Sequence, residues 1–378
     1  MVHTILHRYI FYSVEDIPLK FKAINVIFPI VMVFLMWVCC NYVITIGEAI
    51  KHSIDVCLTS IVPSMYAFMI LSELLVRSNS HRIIGNILSP ISRNVLHLDG
   101  KLFPILLISL VAGYPVGAKL ISTLEDNGSI DTNVAKDMYC YCYSGGLAFI
   151  IGTIGGSLKV SLIVYISNVV ANLTLAFMLN FKHIVPNKDV CKADVKISSN
   201  VLVDSINSSF KTMINVCIMI ISFSIAICLL DVFNISDILS MAISKVLHMS
   251  KTSSQSILNA TLEVSQTANV SMVGSLYLPT IAMIFSFGGV CVIMQILSIA
   301  GKSFNLKHFL KCRIFTSAVS FLICTILTRL LLADTLTTSY ICNAKVTQED
   351  SIVPSICLIC MSFILLSKNT RHSSHNVL

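Results

Sequence analysis

The sequence predicts an all-α polytopic membrane protein, and three observations predict it. The first is composition: 378 residues are 55% hydrophobic and 12% charged, with a mean hydropathy of +0.84. A soluble domain carries about 25% charged residues. Folding leaves about a quarter of a chain's surface in contact with solvent, so this much apolar surface has no place in a water-soluble fold. The second is length: the apolar runs approach the roughly 20 residues that a bilayer core requires. The third is charge placement, since the positive residues divide unevenly between alternate connections. Together these exclude a soluble enzyme, a nucleic-acid binder and a disordered chain. The net charge of +7 speaks to orientation rather than to nucleic acid.

Eight segments are long enough to cross: 24–46, 54–76, 139–157, 160–180, 212–233, 279–300, 314–333 and 352–367. The first is too long for a signal-peptide core and has no small-residue cleavage site at its end. With a cytoplasmic N-terminus, nineteen Lys and Arg residues fall in inner segments, Arg313 among them. Five fall in outer segments: Lys51, Lys159, Lys245, Lys251 and Lys345. Lys119 and Arg329 lie within or beside apolar runs and complete the 26. The asymmetry predicts that both termini are cytoplasmic.

Two apolar stretches do not fit as simple spans. Residues 102–124 are interrupted by Gly113, Pro115 and Gly117, and residues 255–278 by Glu263, Ser265, Gln266, Thr267 and Asn269. A single crossing by either would reverse the charge asymmetry that follows it. The economical reading is two re-entrant hairpins, because irregular backbone at membrane depth must be buried in protein or line a watery cavity. A Pro-kinked span for the first and a polar-faced packing helix for the second are the plainer alternatives.

The order of elements then repeats. Residues 54–180 read as span, amphipathic stretch (81–97), hairpin, Gly-rich span, span. Residues 212–333 read as span, amphipathic stretch (235–249), hairpin, Gly-containing span, span. After the hairpins, Ser144-Gly145-Gly146-Leu147-Ala148-Phe149-Ile150 compares with Phe287-Gly288-Gly289-Val290-Cys291-Val292-Ile293. The charge assignment makes the copies inverted about the membrane plane, a recurring design of secondary transporters. Residues 1–53 are then a tail and scaffold helix, 181–211 a cytoplasmic linker, and 334–378 an outer loop, a C-terminal helix and a tail.

The candidate chemistry gathers at the hairpin tips. At the first, Gly113, Tyr114, Pro115 and Gly117 form a break after which a half-helix N-terminus, with its free N–H groups and dipole, favours an anion. Pro115 suits the start of the second arm. Lys119 sits one turn in, where a charge is costly unless paired or hydrated; snorkelling to the interface is its plainer role. At the second tip, Glu263, Ser265, Gln266, Thr267 and Asn269 offer donors and acceptors for a polar solute. Glu263 suits a proton or cation, or a structural hydrogen bond to a facing helix. Ser144, Gly145, Gly288 and Gly289 complete the predicted site. Glu73 and Asp231 read as interfacial, and Arg329 as snorkelling outward.

The other signals are weak. Most of the 14 cysteines lie in apolar runs and read as small hydrophobes. Cys357-x-x-Cys360 has no second ligand pair nearby, and closed zinc sites take four ligands. No HExxH, GxSxG, Walker loop or GxGxxG occurs. The expectation is a protein that is not an enzyme and has no resident cofactor or metal, with any coupling ion left open.

Gly113-Tyr114-Pro115-Val116-Gly117-Ala118-Lys119, the Ser144-Gly145 pair followed by Phe149-Ile150-Ile151-Gly152-Thr153-Ile154-Gly155-Gly156, the later Leu262-Glu263-Val264-Ser265-Gln266-Thr267-Ala268-Asn269, and 286–295 resemble sporulation integral membrane proteins of the YlbJ type. These are grouped with the nucleoside-recognition Gate domains and are related to concentrative nucleoside transporters. The resemblance covers roughly residues 50–335. It implies a role in endospore formation and a place in the bacterial cell membrane, at the outer forespore membrane. It also implies dipicolinic acid as the substrate. The expected function is therefore transport of a small anionic metabolite. A nucleoside-like carrier and a non-transporting scaffold acting through 181–211 are the alternatives. The expected partners are that anion and the bilayer, with no nucleic acid, and a homo-oligomer is left open.

Overall fold

A computed structural model describes residues 18–154, 157–181, 198–272 and 274–332. Among them there are helices and connections and no strand. The predicted span 352–367, Cys357, Cys360, and residues 182–197 of the predicted linker lie outside the described residues.

The chain enters through α1 (Pro18–Asn41). After Tyr42 it runs without a stop through α2 (Val43–Val56), a π-turn (Cys57–Ile61) and α3 (Val62–Arg77). The predicted spans 24–46 and 54–76 therefore divide at Tyr42, and Lys51 belongs to a helix rather than to an outer loop. No proline falls between Val43 and Ile61, and the lone Gly47 does not end the helix. Pro63, which lacks an N–H and crowds the preceding turn, is accommodated by the π-turn ahead of it.

The amphipathic stretch becomes α4 (Ser80–Ile91), closed by a π-turn. Next come α5 (Phe103–Ala112) and α6 (Val116–Asp126), packed on each other across a break at Gly113–Pro115. The predicted span 139–157 is not one helix. It is α7 (Thr132–Tyr141) and α8 (Leu147–Ile154), parted at Cys142–Gly146 where two adjacent glycines end the run of helix formers. A long helix α9 (Leu158–Asn180) follows.

In the second half α10 (Ser199–Val232) begins well before the predicted span, so the predicted linker 181–211 is helical from Ser199. Ser198 caps it, its Oγ accepting the Val201 N–H. Then come α11 (Ile235–Leu247) and α12 (Lys251–Leu262). The stretch 255–278 does not form two helical arms. After α12 it continues as a 3-10 turn (Val264–Asn269), and residues 270–272 and 274–276 are non-helical ahead of α13 (Tyr277–Phe287). A left-handed Gly288 separates α13 from α14 (Gly289–Ile299), and α15 (Leu306–Leu331) ends the described chain.

Among the described residues five helical stretches are long and apolar enough to cross a membrane: Val43–Arg77, Leu158–Asn180, Ser199–Val232, Tyr277–Ile299 and Leu306–Leu331. Their faces are arranged for lipid. On α15, Ile314, Leu322, Ile326 and Leu330 are exposed, four or eight residues apart on one stripe. Its opposite face buries Arg313, Thr316, Ser317, Ser320, Cys324 and Thr328. On α9, Ile166, Val170 and Phe177 face out, while Ser167, Asn168, Ala171 and Asn172 are buried. Apolar outside and small or polar inside is the packing of helices in a bilayer, where small side chains let backbones approach and polar ones bond between helices. Helices α9, α13 and α15 pack mutually as the centre, and α10 packs along α2 and α3.

Candidate functional site

The centre is built from two unwound helix junctions, α7–α8 and α13–α14, that abut. Tyr143 leaves the first junction and donates its hydroxyl to the carbonyl of Phe287 at 2.9 Å. A Cβ on Gly288 would stand 1.8 Å from that hydroxyl, so only glycine fits there, and its φ of +83° favours glycine independently. Gly145 packs beside Phe285, leaving 3.1 Å for a Cβ. The two Gly-containing motifs that look alike in sequence are thus both places where helices break, and they meet in space.

The α5–α6 break docks on the first junction. The Tyr114 N–H donates to the Ser144 carbonyl at 2.7 Å. A Cβ on Gly113 (φ +83°) would meet the Gly146 nitrogen at 2.2 Å, and one on Gly117 the Cys142 carbonyl at the same distance. Tyr114 stacks near Tyr143, with ring centroids 4.8 Å apart, and its hydroxyl reaches the Phe285 carbonyl at 3.5 Å. Pro115 follows through a cis peptide and immediately precedes α6. In this conformation the tip is therefore engaged with the neighbouring junction, where the sequence suggests a free anion cradle.

The second tip is anchored by Glu263. Its carboxylate accepts the Ser265 N–H at 3.0 Å and the Ser265 hydroxyl, which caps the 3-10 turn, and it is buried. The Thr267 hydroxyl turns back to the Val264 carbonyl. Gly289 lies against the backbone of Thr261–Val264, tying this tip to the second junction. The 3-10 turn also packs on α8, just past the first junction. Gln266 is half-buried and accepts from the exposed Asn269 at 2.9 Å, so Asn269 stands at the margin of the cluster.

The residue that organises the centre is Arg313. The sequence counts it as an inner-segment charge, yet it lies two turns into α15 and is fully buried. Its Nη1 donates to the Tyr143 carbonyl at 3.2 Å and the Ser286 carbonyl at 3.4 Å. Its Nη2 donates to the Cys140 carbonyl and to Asn172 Oδ1, the latter at 3.2 Å. Tyr143 and Phe309 lie under the guanidinium, 4.6 and 5.5 Å from ring centroid to Cζ. Helix ends expose unpaired carbonyls and carry partial negative charge. One planar cation with five donors serves the C-terminal ends of both α7 and α13. Arg313 makes no ion pair among the described residues. Periodicity cannot reveal this role, because the carbonyls it serves come from helices more than 20 residues away in sequence.

Lys119 is half-buried on α6 and makes no side-chain hydrogen bond or ion pair among the described residues. Glu73, expected at the interface, is instead buried: it pairs with Arg77 at 2.8 Å and accepts from Thr123 at 3.3 Å, joining α3 to α6. Asp231 and Arg329 are exposed. Glu125 at the end of α6 receives the Ser303 N–H at 2.8 Å, the Ser303 hydroxyl at 2.9 Å and the Tyr139 hydroxyl at 3.3 Å, linking the two halves at one end. Among the described residues one trio has donor atoms close enough to hold a metal, Cys140, His308 and Cys312.

The long apolar helices with small, polar inner faces define the class: this chain is an integral membrane protein. Among known proteins it is similar to one named sporulation integral membrane protein YlbJ, from Bacillus subtilis (strain 168). The two are 27% identical over 219 residues, covering 51% of this chain and 54% of the relative. The chain thus spans about half the length of the curated relative it matches. No protein-family model matches the chain, and no solved structure does.

Proposed function

We propose that this protein is a transporter for a small anionic metabolite, acting in endospore formation, with dipicolinic acid as the substrate that the resemblance names. The observation that carries the reading is the contact of two broken helices, Tyr143 on Phe287 and Gly288, beneath the buried Arg313. Unwound backbone inside a membrane protein is costly, and an anchor or scaffold gains nothing from it. Carriers use such breaks, with inverted halves that rock around a site at mid-depth. The Nη atoms of Arg313 are engaged by carbonyls and Asn172, so in this reading the substrate carboxylate meets Lys119, which is half-buried and makes no side-chain hydrogen bond or ion pair among the described residues. Glu263, Ser144 and the tip backbone of Gly113–Gly117 become available when the tips part from the junctions. In this reading both termini are cytoplasmic, the halves are inverted repeats, the chain carries a solute without transforming it, and the membrane is the outer forespore membrane. The polar cluster of Glu263, Ser265 and Gln266 favours a second reading, a carrier of neutral nucleoside-like solutes.

The full chain reconstituted in liposomes tests this with labelled dipicolinate, a nucleoside panel and simple dicarboxylates. Saturable dipicolinate uptake that Lys119→Met abolishes, with insertion intact, supports the anion carrier. Saturable uptake of nucleosides alone moves the assignment to the second reading. Uptake of none of these, in protein that is folded and oriented, overturns transport of either class.

A further inference from the structure

We propose that Cys140, His308 and Cys312 form a zinc site that clamps α7 to α15, with Asp137 beside the fourth ligand position. The inference is independent of what the protein transports. The ligand atoms of the three residues all lie within 4.8 Å of one another. His308 Nε2 stands 3.9 Å from Cys312 Sγ and 3.0 Å from Asp137 Oδ1. Zinc bonds of about 2.0–2.3 Å in a tetrahedron separate neighbouring ligand atoms by about 3.3–3.8 Å. The cluster is thus near that spacing, and small rotamer changes bring it there.

Local structure explains how these four side chains converge. Asp137 and Cys140 are three apart on α7, and His308 and Cys312 four apart on α15, so each pair shares one helix face. Those faces oppose each other where α7 packs on α15. Both cysteines are buried and His308 is half-buried. The ligand set of two sulfurs and an imidazole suits zinc rather than a hard cation, which would seek oxygens. On binding, the two thiols release two protons and bind as thiolates, and no oxidant or reductant is needed. The signals Asp-x-x-Cys and His-x-x-x-Cys lie about 170 residues apart in sequence, and only the packing of α7 on α15 unites them.

The site has a structural consequence. Cys140 offers its sulfur to the metal and its carbonyl to Arg313, and Cys312 directly precedes Arg313. A bound ion therefore fixes the C-terminal turn of α7 and the position of the guanidinium that serves both junctions.

The test uses the full chain purified in detergent under reducing conditions, loaded with zinc and freed of loosely held metal. The expected result is about one zinc per chain by elemental analysis. Cobalt loading should give a thiolate charge-transfer band and the visible bands of tetrahedral cobalt. Cys312→Ser and His308→Gln should each lower zinc affinity at least about tenfold, and Asp137→Asn about 10–100-fold, the scale for outer partners of a metal site. Since these variants risk misfolding, a second measurement uses the unaltered chain: zinc should slow alkylation of Cys140 and Cys312, read by peptide mass spectrometry, and leave Cys40 unaffected. Substoichiometric zinc, zinc held equally well by the Cys140→Ser/Cys312→Ser chain, unprotected thiols, or a Cys140–Cys312 disulfide that forms in preference to the metal complex would each overturn the proposal.

Discussion

Gly288→Ala probes the contact between the two broken helices most directly. Gly288 has a φ of +83°, a region that costs an L-residue about 1–2 kcal/mol. The added methyl would sit 1.8 Å from the Tyr143 hydroxyl, 2.6 Å from Cζ and 2.9 Å from Cε1. Tyr143 has to move, which forfeits its hydrogen bond to Phe287 at about 1 kcal/mol. Overpacking a filled site adds about 1–3 kcal/mol. The sum is a loss of about 3–6 kcal/mol, large for a single methyl. Unfolding in mixed micelles, followed by circular dichroism, measures it. Tyr143→Phe removes the nearest obstructing atom, so the double variant Tyr143→Phe/Gly288→Ala should be less damaged than the two single losses added, by about 1 kcal/mol or more. Strictly additive losses, or a Gly288→Ala chain within about 0.5 kcal/mol of the unaltered one, would refute the idea that the junctions abut through this pair.

Two further outcomes follow from the same geometry and a third from the charge placement. Arg313→Lys keeps the charge but has three donors and no planar fork, so at least one of four acceptors goes unserved; the loss should be about 1–3 kcal/mol in the same unfolding assay. Glu125→Gln replaces one acceptor oxygen with an NH2 group facing the Ser303 or Tyr139 donors, and should cost about 1–2 kcal/mol and speed proteolysis of the 301–305 connection, read by limited digestion. In a chain lacking its other reactive cysteines, Val190→Cys should react with an impermeant maleimide only from the cytoplasmic side, and labelling from outside would invert the proposed orientation.

Much of the architecture was legible in sequence because the bilayer imposes it locally. Length and hydropathy alone locate the helices at 160–180, 212–233 and 314–333, since a spanning segment must satisfy its own backbone and hide its polarity within one run. Gly113–Pro115 announces its break because a glycine and a proline so close together oppose helix, whereas the break at Gly288 lies inside the predicted span 279–300. The likeness of the Ser144 and Phe287 motifs reads in sequence as a repeat of two spans, and only the structure shows that both motifs are junctions. What a hydropathy window averages away is the break itself at Cys142–Gly146, which the sequence alone reads as part of one span. The π-turn that carries α2 into α3 past Pro63 is equally invisible, because it depends on which hydrogen bonds the neighbouring turns can still make.

The sequence by itself determined that this chain lives in a membrane, where most of its helices run and that Gly113–Gly117 and Glu263–Asn269 interrupt two apolar stretches. Tertiary structure alone decided which interruptions face each other. Arg313 is a flanking charge to any rule that counts residues along the chain. It becomes the centre of the molecule only when α15 is laid against α7, α9 and α13, because the carbonyls that make burying a guanidinium tolerable come from three other elements. The same holds for Glu73, which is buried because α6 supplies Thr123. It holds as well for Cys140, His308 and Cys312, whose convergence no local spacing encodes. Local propensity acts over a few residues, whereas the satisfaction of buried polar groups is a condition on the whole packed structure.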